Sequence, residues 1–357
     1  MSRVLITGSN GYIGNALICA LSQMKTHEFF QVDNLGRENW AKEVGGLSLT
    51  TYLNYNFFLG DLANPNETRR MLHYFHPDVI VHLASQPSGP YSEISLAHRD
   101  FTQTNNLRML LNLLCVSKEF NLNPKFIVTT TTGVPGAPNE PILEAPTPNQ
   151  AGSAYHVSRG FDSANLSLAA KQWGYRALEM RTSIVYGTRI DAVNQPCSRF
   201  DWDFYFGTAL NRFCVQKKMN KPIKVYGKGL QRKPFISLRD CVASLIKAID
   251  YDFLPGHKIV NQTTGCYSIV EVAKAVGGEI EHIQNPRIEK EDHEMVIHNS
   301  EFMKILNGFS NNLPASNDTA QLEKEIELIL MDIDTSKLPT NWEDIFNGKN
   351  NKKGVLI

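Results

Sequence analysis

The segment Arg3-Val-Leu-Ile-Thr-Gly8-Ser-Asn-Gly11-Tyr-Ile-Gly14 decides the fold of this chain. An apolar run leads into a glycine-rich turn, and a helical pattern from Tyr12 to Met24 follows at once. Glycines allow a sharp turn and a close approach of the backbone to a pyrophosphate, and the free N–H groups at a helix start bind anions. In the order strand, turn and helix, such glycines predict a dinucleotide site. An ordinary glycine turn is the alternative interpretation.

Strand-like and helix-like segments alternate through the first half of the chain. This alternation predicts an α/β fold with a Rossmann-type, doubly wound parallel sheet. We expect a Rossmann domain over residues 1–187, rejoined by about 235–262, and a smaller C-terminal substrate-binding lobe over 188–234 and 263–345. Residues 346–357 have the composition of a polar tail. The predicted strands are Arg3 to Thr7, Phe29 to Asp33, Asn56 to Leu59, Val79 to Leu83, Phe126 to Thr130 and Leu178 to Val185.

The later part of the chain is less regular. Gly133 to Gln150 carries five prolines and is predicted to be a long loop, and loops of this length in a compact domain are usually functional. Asp191 to Phe204 also has an irregular pattern. Helices are predicted over Gly207 to Lys218, Leu238 to Asp250 and Ala320 to Met331, and a strand over Ile223 to Tyr226.

Bulk composition limits the classes of partner. The 357 residues include 36 Lys and Arg and 36 Asp and Glu, so no net field favours nucleic acid or an anionic membrane surface. The six cysteines form no Cys-x-x-Cys pair, which argues against a disulfide framework and a thiolate metal site. The first predicted strand begins at Arg3 and no apolar run reaches about 18 residues, so we expect no membrane span and a cytoplasmic location.

Asp33 lies at the end of the second predicted strand, about 20 residues after Gly14, as the dinucleotide fingerprint requires. A carboxylate there accepts hydrogen bonds from ribose hydroxyls and repels a 2′-phosphate, which favours NAD over NADP. A turn aspartate is the alternative, and the nearby Arg37 leaves NADP open. Asp61, after the third strand, would meet the adenine edge or cap a helix.

The candidate active site combines Thr131 with the segment Tyr155-His156-Val157-Ser158-Arg159. Tyr155 and Arg159 are four residues apart and therefore share one helix face. A phenol that acts as a base near neutral pH needs a pKa below its usual value of about 10, and a neighbouring cation favours the phenolate. Thr131, at the end of a facing strand, would hold the substrate oxygen. The alternative is an ordinary helix pair in a protein that only binds.

With these motifs the chain resembles, over nearly its whole length, the extended short-chain dehydrogenases/reductases, and among them the NAD-dependent nucleotide-sugar epimerases and dehydratases. The likeness is most specific to the UDP-sulfoquinovose synthase group. The segments that carry it are His82-Leu-Ala-Ser-Gln86-Pro-Ser-Gly-Pro-Tyr91-Ser, Phe101-Thr-Gln-Thr-Asn105-Asn106, Phe206-Gly-Thr-Ala-Leu-Asn211-Arg-Phe-Cys-Val-Gln216 and Val225-Tyr226-Gly-Lys-Gly229.

This resemblance implies tightly bound NAD, a nucleotide-diphosphate sugar with UDP-linked hexose as the expected form, and a homodimer paired through helices Phe101 to Glu119 and Ala154 to Gln172. It also implies catalytic roles for Thr131, Tyr155, Arg159 and His156. Cofactor contacts are implied for Gly8, Gly11, Tyr12, Ile13, Gly14, Asp33, Asn34, Asp61, Leu62, Leu83, Ala84, Ser85, Asn106, Thr129, Tyr155 and Arg159. Substrate contacts are implied for Gln86, Thr131, Thr132, Thr182, Asn211, Val225, Tyr226 and Lys233.

Three positions depart from the family pattern. Arg159 replaces a lysine, and a guanidinium is bulkier, planar and effectively never deprotonated. Pro87 stands where the resemblance leads us to expect an arginine suited to an anionic substrate. The turn Thr132-Gly133 lacks the acid and base of the 4,6-dehydratases; His156 could substitute, although adjacent helix residues point about 100° apart.

The sequence thus predicts an enzyme that transiently oxidises a nucleotide-linked hexose at C4. Epimerisation by re-reduction on the other face is our first interpretation. Sulfite addition to UDP-glucose and 4,6-dehydratase-like chemistry are alternatives that the three departures weaken. A non-catalytic protein that binds NAD and a sugar nucleotide is the alternative from a different class.

Overall fold

The computed structural model describes residues 1–43, 47–48, 56–136, 138, 140–190, 196–285, 293–307 and 319–349. The strands are β1 (Arg3–Thr7), β2 (Glu28–Asp33), β3 (Leu47–Ser48), β4 (Phe57–Leu59), β5 (Val79–His82), β6 (Lys125–Thr131), β7 (Arg176–Thr182), β8 (Ile184–Tyr186), β9 (Arg199–Phe200), β10 (Ile223–Tyr226), β11 (Arg232–Ser237), β12 (Gly256–Gln262), β13 (Gly265–Ser268) and β14 (Ile280–Ile283).

The helices are α1 (Tyr12–Met24), α2 (Gly36–Glu43), α3 (Pro65–Phe75), α4 (Gly89–Ser92), α5 (Leu96–Glu119), α6 (Ala154–Trp173), α7 (Ala209–Lys218), α8 (Leu238–Asp250), α9 (Ile269–Val276), α10 (Ser300–Leu306), α11 (Thr319–Asp332) and α12 (Trp342–Phe346), with a 3-10 turn at Thr335–Lys337.

A seven-stranded sheet forms the centre of the molecule. Its strand order is β12-β7-β6-β5-β1-β2-β4, and all neighbouring strands are parallel. The strand order reverses between β5 and β1, and ligands of open α/β sheets bind outside the carboxyl ends of the strands at such a point. This sheet confirms the predicted Rossmann-type fold class.

Helices cover both faces of this sheet, which explains the continuous apolar runs of its strands. Val4 and Ile6 of β1 pack against α1 and α8, whereas Leu5 packs on the opposite face with α3, α5 and α6. All three side chains are fully buried. Alternate residues of one strand therefore pack into two separate hydrophobic cores.

A third hydrophobic core lies in the second part of the chain. It is built around Trp202, Phe213 and Val225 and is bordered by the sheet β13-β11-β8 and the pair β10-β14. Phe346, predicted as the first residue of a polar tail, is buried in this core, and residues 350–357 lie outside the described residues.

Three segments differ from the sequence-based expectation. The single strand predicted over Leu178 to Val185 is divided into β7 and β8. The segment predicted to be irregular contains β9, which pairs with β3, and its residues 191–195 lie outside the described part of the chain. Helix α10, in the part predicted for the substrate-binding lobe, places Phe302 in the core shared by β1 and α8. The domain boundaries themselves stay a prediction.

Glu144 anchors the proline-rich segment 133–150, of which residues 137 and 139 are not described. Its carboxylate accepts backbone hydrogen bonds from Glu301 at 2.6 Å and Phe302 at 2.8 Å, at the start of α10, and from Asn261 of β12 at 3.1 Å. The side chain thereby accepts hydrogen bonds from N–H groups at the N-terminus of α10 that have no acceptor within the helix. Burial raises the pKa of Glu144 above its usual value.

Glu144→Ala should destabilise the fold by about 2 kcal/mol, because it leaves partly buried N–H groups without an acceptor. Urea unfolding at neutral pH measures the change. Glu140→Ala removes an exposed carboxylate from the same segment and is the matched control, expected to change stability by less than about 0.5 kcal/mol. Equal stability of the two variants would contradict the anchoring role.

Candidate active site

A cavity of about 1360 Å³ opens at the carboxyl ends of the central strands. Ligand pockets commonly measure about 300–1000 Å³, so this volume suits two ligands side by side. Its walls come from the Rossmann-type sheet and from the second part of the chain. The predicted site residues that line it are Gly8, Gly11, Tyr12, Ile13, Gly14, Asp33, Asn34, Asp61, Leu62, Leu83, Ala84, Ser85, Gln86, Thr129, Thr131, Thr132, Tyr155, His156, Arg159, Thr182, Asn211, Tyr226 and Lys233.

Two predicted site residues lie behind the wall. The Val225 side chain is fully buried in the third core, because side chains alternate along β10 and its neighbours Lys224 and Tyr226 face the cavity. Asn106 is also fully buried. Its amide donates to Ser158 Oγ at 3.0 Å and pairs with the backbone of Gln86, so it connects α5 to α6.

The glycine turn forms a cradle that side chains would fill. Gly8 has φ +68°, and a Cβ on it would lie 2.6 Å from the backbone nitrogen of Ala84. A Cβ on Gly14 would lie 2.1 Å from the carbonyl oxygen of Gly8. Gly11 is the N-cap of α1 and brings no side chain to the first-turn N–H groups. This arrangement fits the pyrophosphate of a dinucleotide.

Asp33 connects this cradle to β2. Its carboxylate accepts hydrogen bonds from the backbone N–H groups of Asn10 at 2.9 Å and Leu35 at 2.7 Å. Burial raises the pKa of Asp33, and these hydrogen bonds oppose the rise. The nearby Arg37 pairs with Asp201 at 3.1 Å, and its guanidinium lies 3.2 Å from the ring centre of Phe206. Because Asp201 and Phe206 already bind the Arg37 guanidinium, it is not set aside for a 2′-phosphate, which favours NAD over NADP.

Asp61 also lies in the cavity wall, but it does not cap helix α3. The N-cap of α3 is Asn64, whose side chain accepts a hydrogen bond from Asn66. The Asp61 carboxylate instead accepts a hydrogen bond from the Ala63 N–H at 2.9 Å, within the turn that precedes the helix.

Tyr155 and Thr131 both line the cavity, and the Thr131 side chain is close enough to favour the phenolate form of Tyr155. Desolvation raises the pKa of Tyr155, whereas the charge of Arg159 and the nearby Thr131 side chain lower it. The lowering expected from the sequence is therefore present, but burial outweighs it. Helix α6 begins at Ala154, one residue before Tyr155, because Ser153 caps it by accepting a hydrogen bond from the His156 N–H.

Arg159 is almost fully buried beneath Tyr155. Its guanidinium donates to the Thr129 carbonyl and forms an ion pair with Asp162, with 2.8 Å between Nη1 and Oδ2. Burial raises the pKa of Asp162 to about 7, against the opposing charge of Arg159. Sequence reasoning missed Asp162, although a spacing of three residues places it on the same helix face as Arg159.

His156 lies over the turn Thr132-Gly133. Its Nδ1 is 2.7 Å from Ser153 Oγ, and a Cβ on Gly133 would lie 2.4 Å from its Cδ2. The imidazole therefore occupies space that a side chain at position 133 would need. Both His156 and Tyr155 line the cavity, with ring centres 4.9 Å apart, despite their adjacent positions on the helix.

Several predicted substrate residues in the cavity wall are held by protein hydrogen bonds. The Gln86 amide donates to Thr102 Oγ1 at 2.8 Å. Thr182 donates to Gln262 at 2.7 Å, and Asn211 donates to the Asp201 carbonyl at 3.0 Å. These bonds fix the orientation of the wall.

Sequence reasoning also missed a charged group at the cavity. Asp201 pairs with Arg199 at 3.0 Å and with Arg37 at 3.1 Å, and all three residues line the cavity. Burial raises the pKa of Asp201, but the two arginines outweigh it and hold that pKa below its usual value. Arg37 and Asp201 are 164 positions apart in sequence, and no local pattern connects these two residues.

Within the described residues, no cluster of three or more His, Cys, Asp or Glu side chains is arranged to hold a metal ion. The helices of the described segments include none with the length and apolar character to span a bilayer. The cytoplasmic location stays a prediction.

Comparison with known proteins identifies the family. Residues 4–261 match the model of the NAD dependent epimerase/dehydratase family. The chain is 34% identical to the chloroplastic UDP-sulfoquinovose synthase of Spinacia oleracea, over 82% of this chain and 69% of the relative. It is 29% identical to the UDP-sulfoquinovose synthase of Sulfolobus acidocaldarius, over 82% of this chain and 84% of that relative. The chain therefore belongs to the NAD-dependent epimerase/dehydratase family, as its sequence predicts.

Solved structures support the same fold. The UDP-glucose 4-epimerase of Thermotoga maritima, solved with UDP-glucose, superposes with a TM-score of 0.73 at 18% identity, covering 92% of this chain and 98% of that one. The UDP-glucuronic acid 4-epimerase of Bacillus cereus, solved in complex with UDP-glucuronic acid and NAD, superposes with a TM-score of 0.71 at 21% identity. This match covers 92% of this chain and 99% of that one. Family membership confirms the NAD dependence predicted from the sequence.

Proposed function

We propose that this protein oxidises the C4 hydroxyl of a UDP-linked hexose and passes the 4-keto sugar to a second step in the same cavity. The observation that carries the proposal is that Thr131 and Tyr155 line one cavity together with the glycine cradle and the substrate residues, with the cation of Arg159 next to Tyr155. NAD, when bound, supplies the hydride acceptor. Thr131 holds the sugar oxygen, and Tyr155 takes its proton as general base.

The cavity residues divide between the two ligands. The cradle at Gly8 and Gly14 and the carboxylate of Asp33 would hold the dinucleotide. Tyr226 and Lys233, on the opposite wall, would hold the nucleotide and diphosphate of the sugar nucleotide, since a lysine ammonium pairs with phosphate as a point charge. The presence of UDP-sugars in the solved epimerases supports UDP as the nucleotide.

Re-reduction of the 4-keto sugar on its other face gives epimerisation, which needs no further acid or base. A second outcome is elimination across C5 and C6 followed by sulfite addition. Two observations favour this candidate: His156 offers an imidazole at the turn that lacks the dehydratase carboxylates, and two relatives are UDP-sulfoquinovose synthases. Pro87, in place of an arginine, speaks against an anionic partner there.

Turnover should be visible when the purified protein is incubated in heavy water with a panel of nucleotide sugars, with and without sulfite, and the sugar protons are followed by NMR. Inversion at C4 identifies an epimerase, and a sulfite-dependent change at C6 identifies a sulfosugar synthase. Tyr155→Phe should slow either reaction about 10³-fold because the general base is lost, while the cofactor stays bound.

The same experiment addresses the alternatives. Unchanged turnover in Tyr155→Phe would mean that another group is the base. The absence of any conversion and of any NADH would leave a protein that binds NAD and sugar nucleotides without turning them over.

Arg159→Lys should keep turnover within about tenfold of the wild type, equivalent to about 1.4 kcal/mol in the barrier, because the lysine preserves the positive charge near Tyr155. Arg159→Met keeps the length of the stem but removes the charge, and should lower kcat about 10²-fold. Steady-state kinetics on the substrate found above compare the two. Complete loss in Arg159→Lys would show that the guanidinium geometry itself is required.

We propose that α5 and α6 pair two copies of the chain into a dimer. On α5, Leu110 and Leu114 are buried in the sheet-facing core, whereas Leu111 is 39% exposed. On α6, Phe161 is 41% and Leu168 51% exposed, which gives the two helices an outward apolar surface.

Mass measurement in solution should therefore find a dimer at micromolar concentration, and Leu168→Arg should shift it to monomer by burying an unpaired charge. Leu254→Arg, at an 86% exposed site outside both helices, is the matched control and should stay dimeric. A monomeric wild-type protein would exclude this pairing.

A further inference from the structure

The charged third member of the active-site set has a dedicated partner. The side chains of Arg159 and Asp162 are 2% and 0% exposed, and the guanidinium lies 2.8 Å from the carboxylate. Among the described residues, neither carboxylate oxygen of Asp162 has a hydrogen-bond partner, so the ion pair with Arg159 is the contact that compensates its charge. A buried charge without a partner costs several kcal/mol, so each of the two groups depends on the other.

The Arg159 guanidinium is held by two partners at once, one through a hydrogen bond and one through an ion pair. It donates to the Thr129 carbonyl of β6, two residues before Thr131, and it faces Asp162 one turn further along α6. Arginine has a rigid fork of donors that suits two acceptors, whereas the ammonium of lysine is a compact point charge. The pairing therefore explains how a guanidinium is accommodated where the family pattern has lysine.

The other titratable groups around this pair are already accounted for. His82 of β5 is neutral, since burial and the charge of Arg159 lower its pKa to about 3. Glu179 of β7 faces Asp162, but burial of Glu179 is outweighed by His257 of β12 and by Arg181, which lower its pKa to about 2. Arg159 and Asp162 are thus the two groups whose charges act on Tyr155, in opposite directions.

We propose that Asp162 is a positioning residue that sets the basicity of Tyr155 through Arg159: it holds the guanidinium against the strand end and cancels part of its field at the phenol. With Asp162 ionised, the cation stabilises the phenolate less than an unpaired cation would. This inference rests on the proposed function for its catalytic meaning, but the ion pair and its effect on Tyr155 do not depend on turnover.

The test measures Tyr155 directly. Ultraviolet difference absorption of each holoenzyme against its own Tyr155→Phe counterpart reports phenolate formation as the pH rises. In this alkaline range the wild-type Asp162 is ionised, because its pKa is about 7. Asp162→Asn removes the opposing anion and should move the Tyr155 titration to lower pH. An unmoved titration would overturn the proposal.

Kinetics on the same variants separate positioning from a merely structural role. Asp162→Asn should lower kcat about 10²-fold, with KM within about twofold, because the guanidinium loses one of its two anchors. Asp162→Glu keeps the negative charge and should restore the wild-type titration, with kcat still reduced because the carboxylate is displaced. If Asp162→Asn does not fold, Asp162→Glu alone decides. A wild-type kcat in Asp162→Glu would overturn the proposal, whereas a reduced kcat together with a wild-type Tyr155 titration would support it.

Glu179→Gln is the matched control, since it removes a buried carboxylate that contacts the same helix through Ser163. It should lower the free energy of unfolding without moving the Tyr155 titration; a shift equal to that of Asp162→Asn would overturn the assignment to Asp162. If the wild type turns over no sugar nucleotide, the proposed function fails, whereas the titration still decides the role of Asp162.

Discussion

The close approach of Gly8 to the backbone of Ala84 is the constraint on which the rest of the site depends. The Gly8 N–H donates to the carbonyl of Val32, so the turn is tied to β2 as well as pressed against the segment that follows β5. Three parallel strands therefore end in one fixed arrangement around the turn. The cavity floor follows from this contact, and so does the placement of Asp33 beside the start of α1.

The local elements could be predicted from the sequence because their signals are local. Helix α1 and strand β1 have the predicted limits, since a glycine turn separates two clear periodicities. Thr131 and Tyr155 were found because each stands at the end of an element that the pattern places at the same sheet edge. Asp162 was within reach of the same reasoning, since it shares a helix face with Arg159.

What could not be predicted depends on contacts between distant segments. Arg37 and Asp201 are 164 positions apart and meet only after the second part of the chain folds over the sheet. The burial of Val225 depends on which face of β10 packs on the third core. The four residues of this strand are too few for their sequence pattern to show which face that is. Desolvation of Tyr155 is likewise a property of its surroundings, so the neighbouring cation could be predicted from the sequence but the sign of the net pKa shift could not.

The imidazole of His156 above Gly133 makes the two positions mutually exclusive. Because Nδ1 is held near Ser153 Oγ, the ring has no simple way to swing aside for a carboxylate at position 133. In this chain, a carboxylate side chain at position 133 would therefore need a change at position 156 as well, because a Cβ at position 133 would lie 2.4 Å from the imidazole.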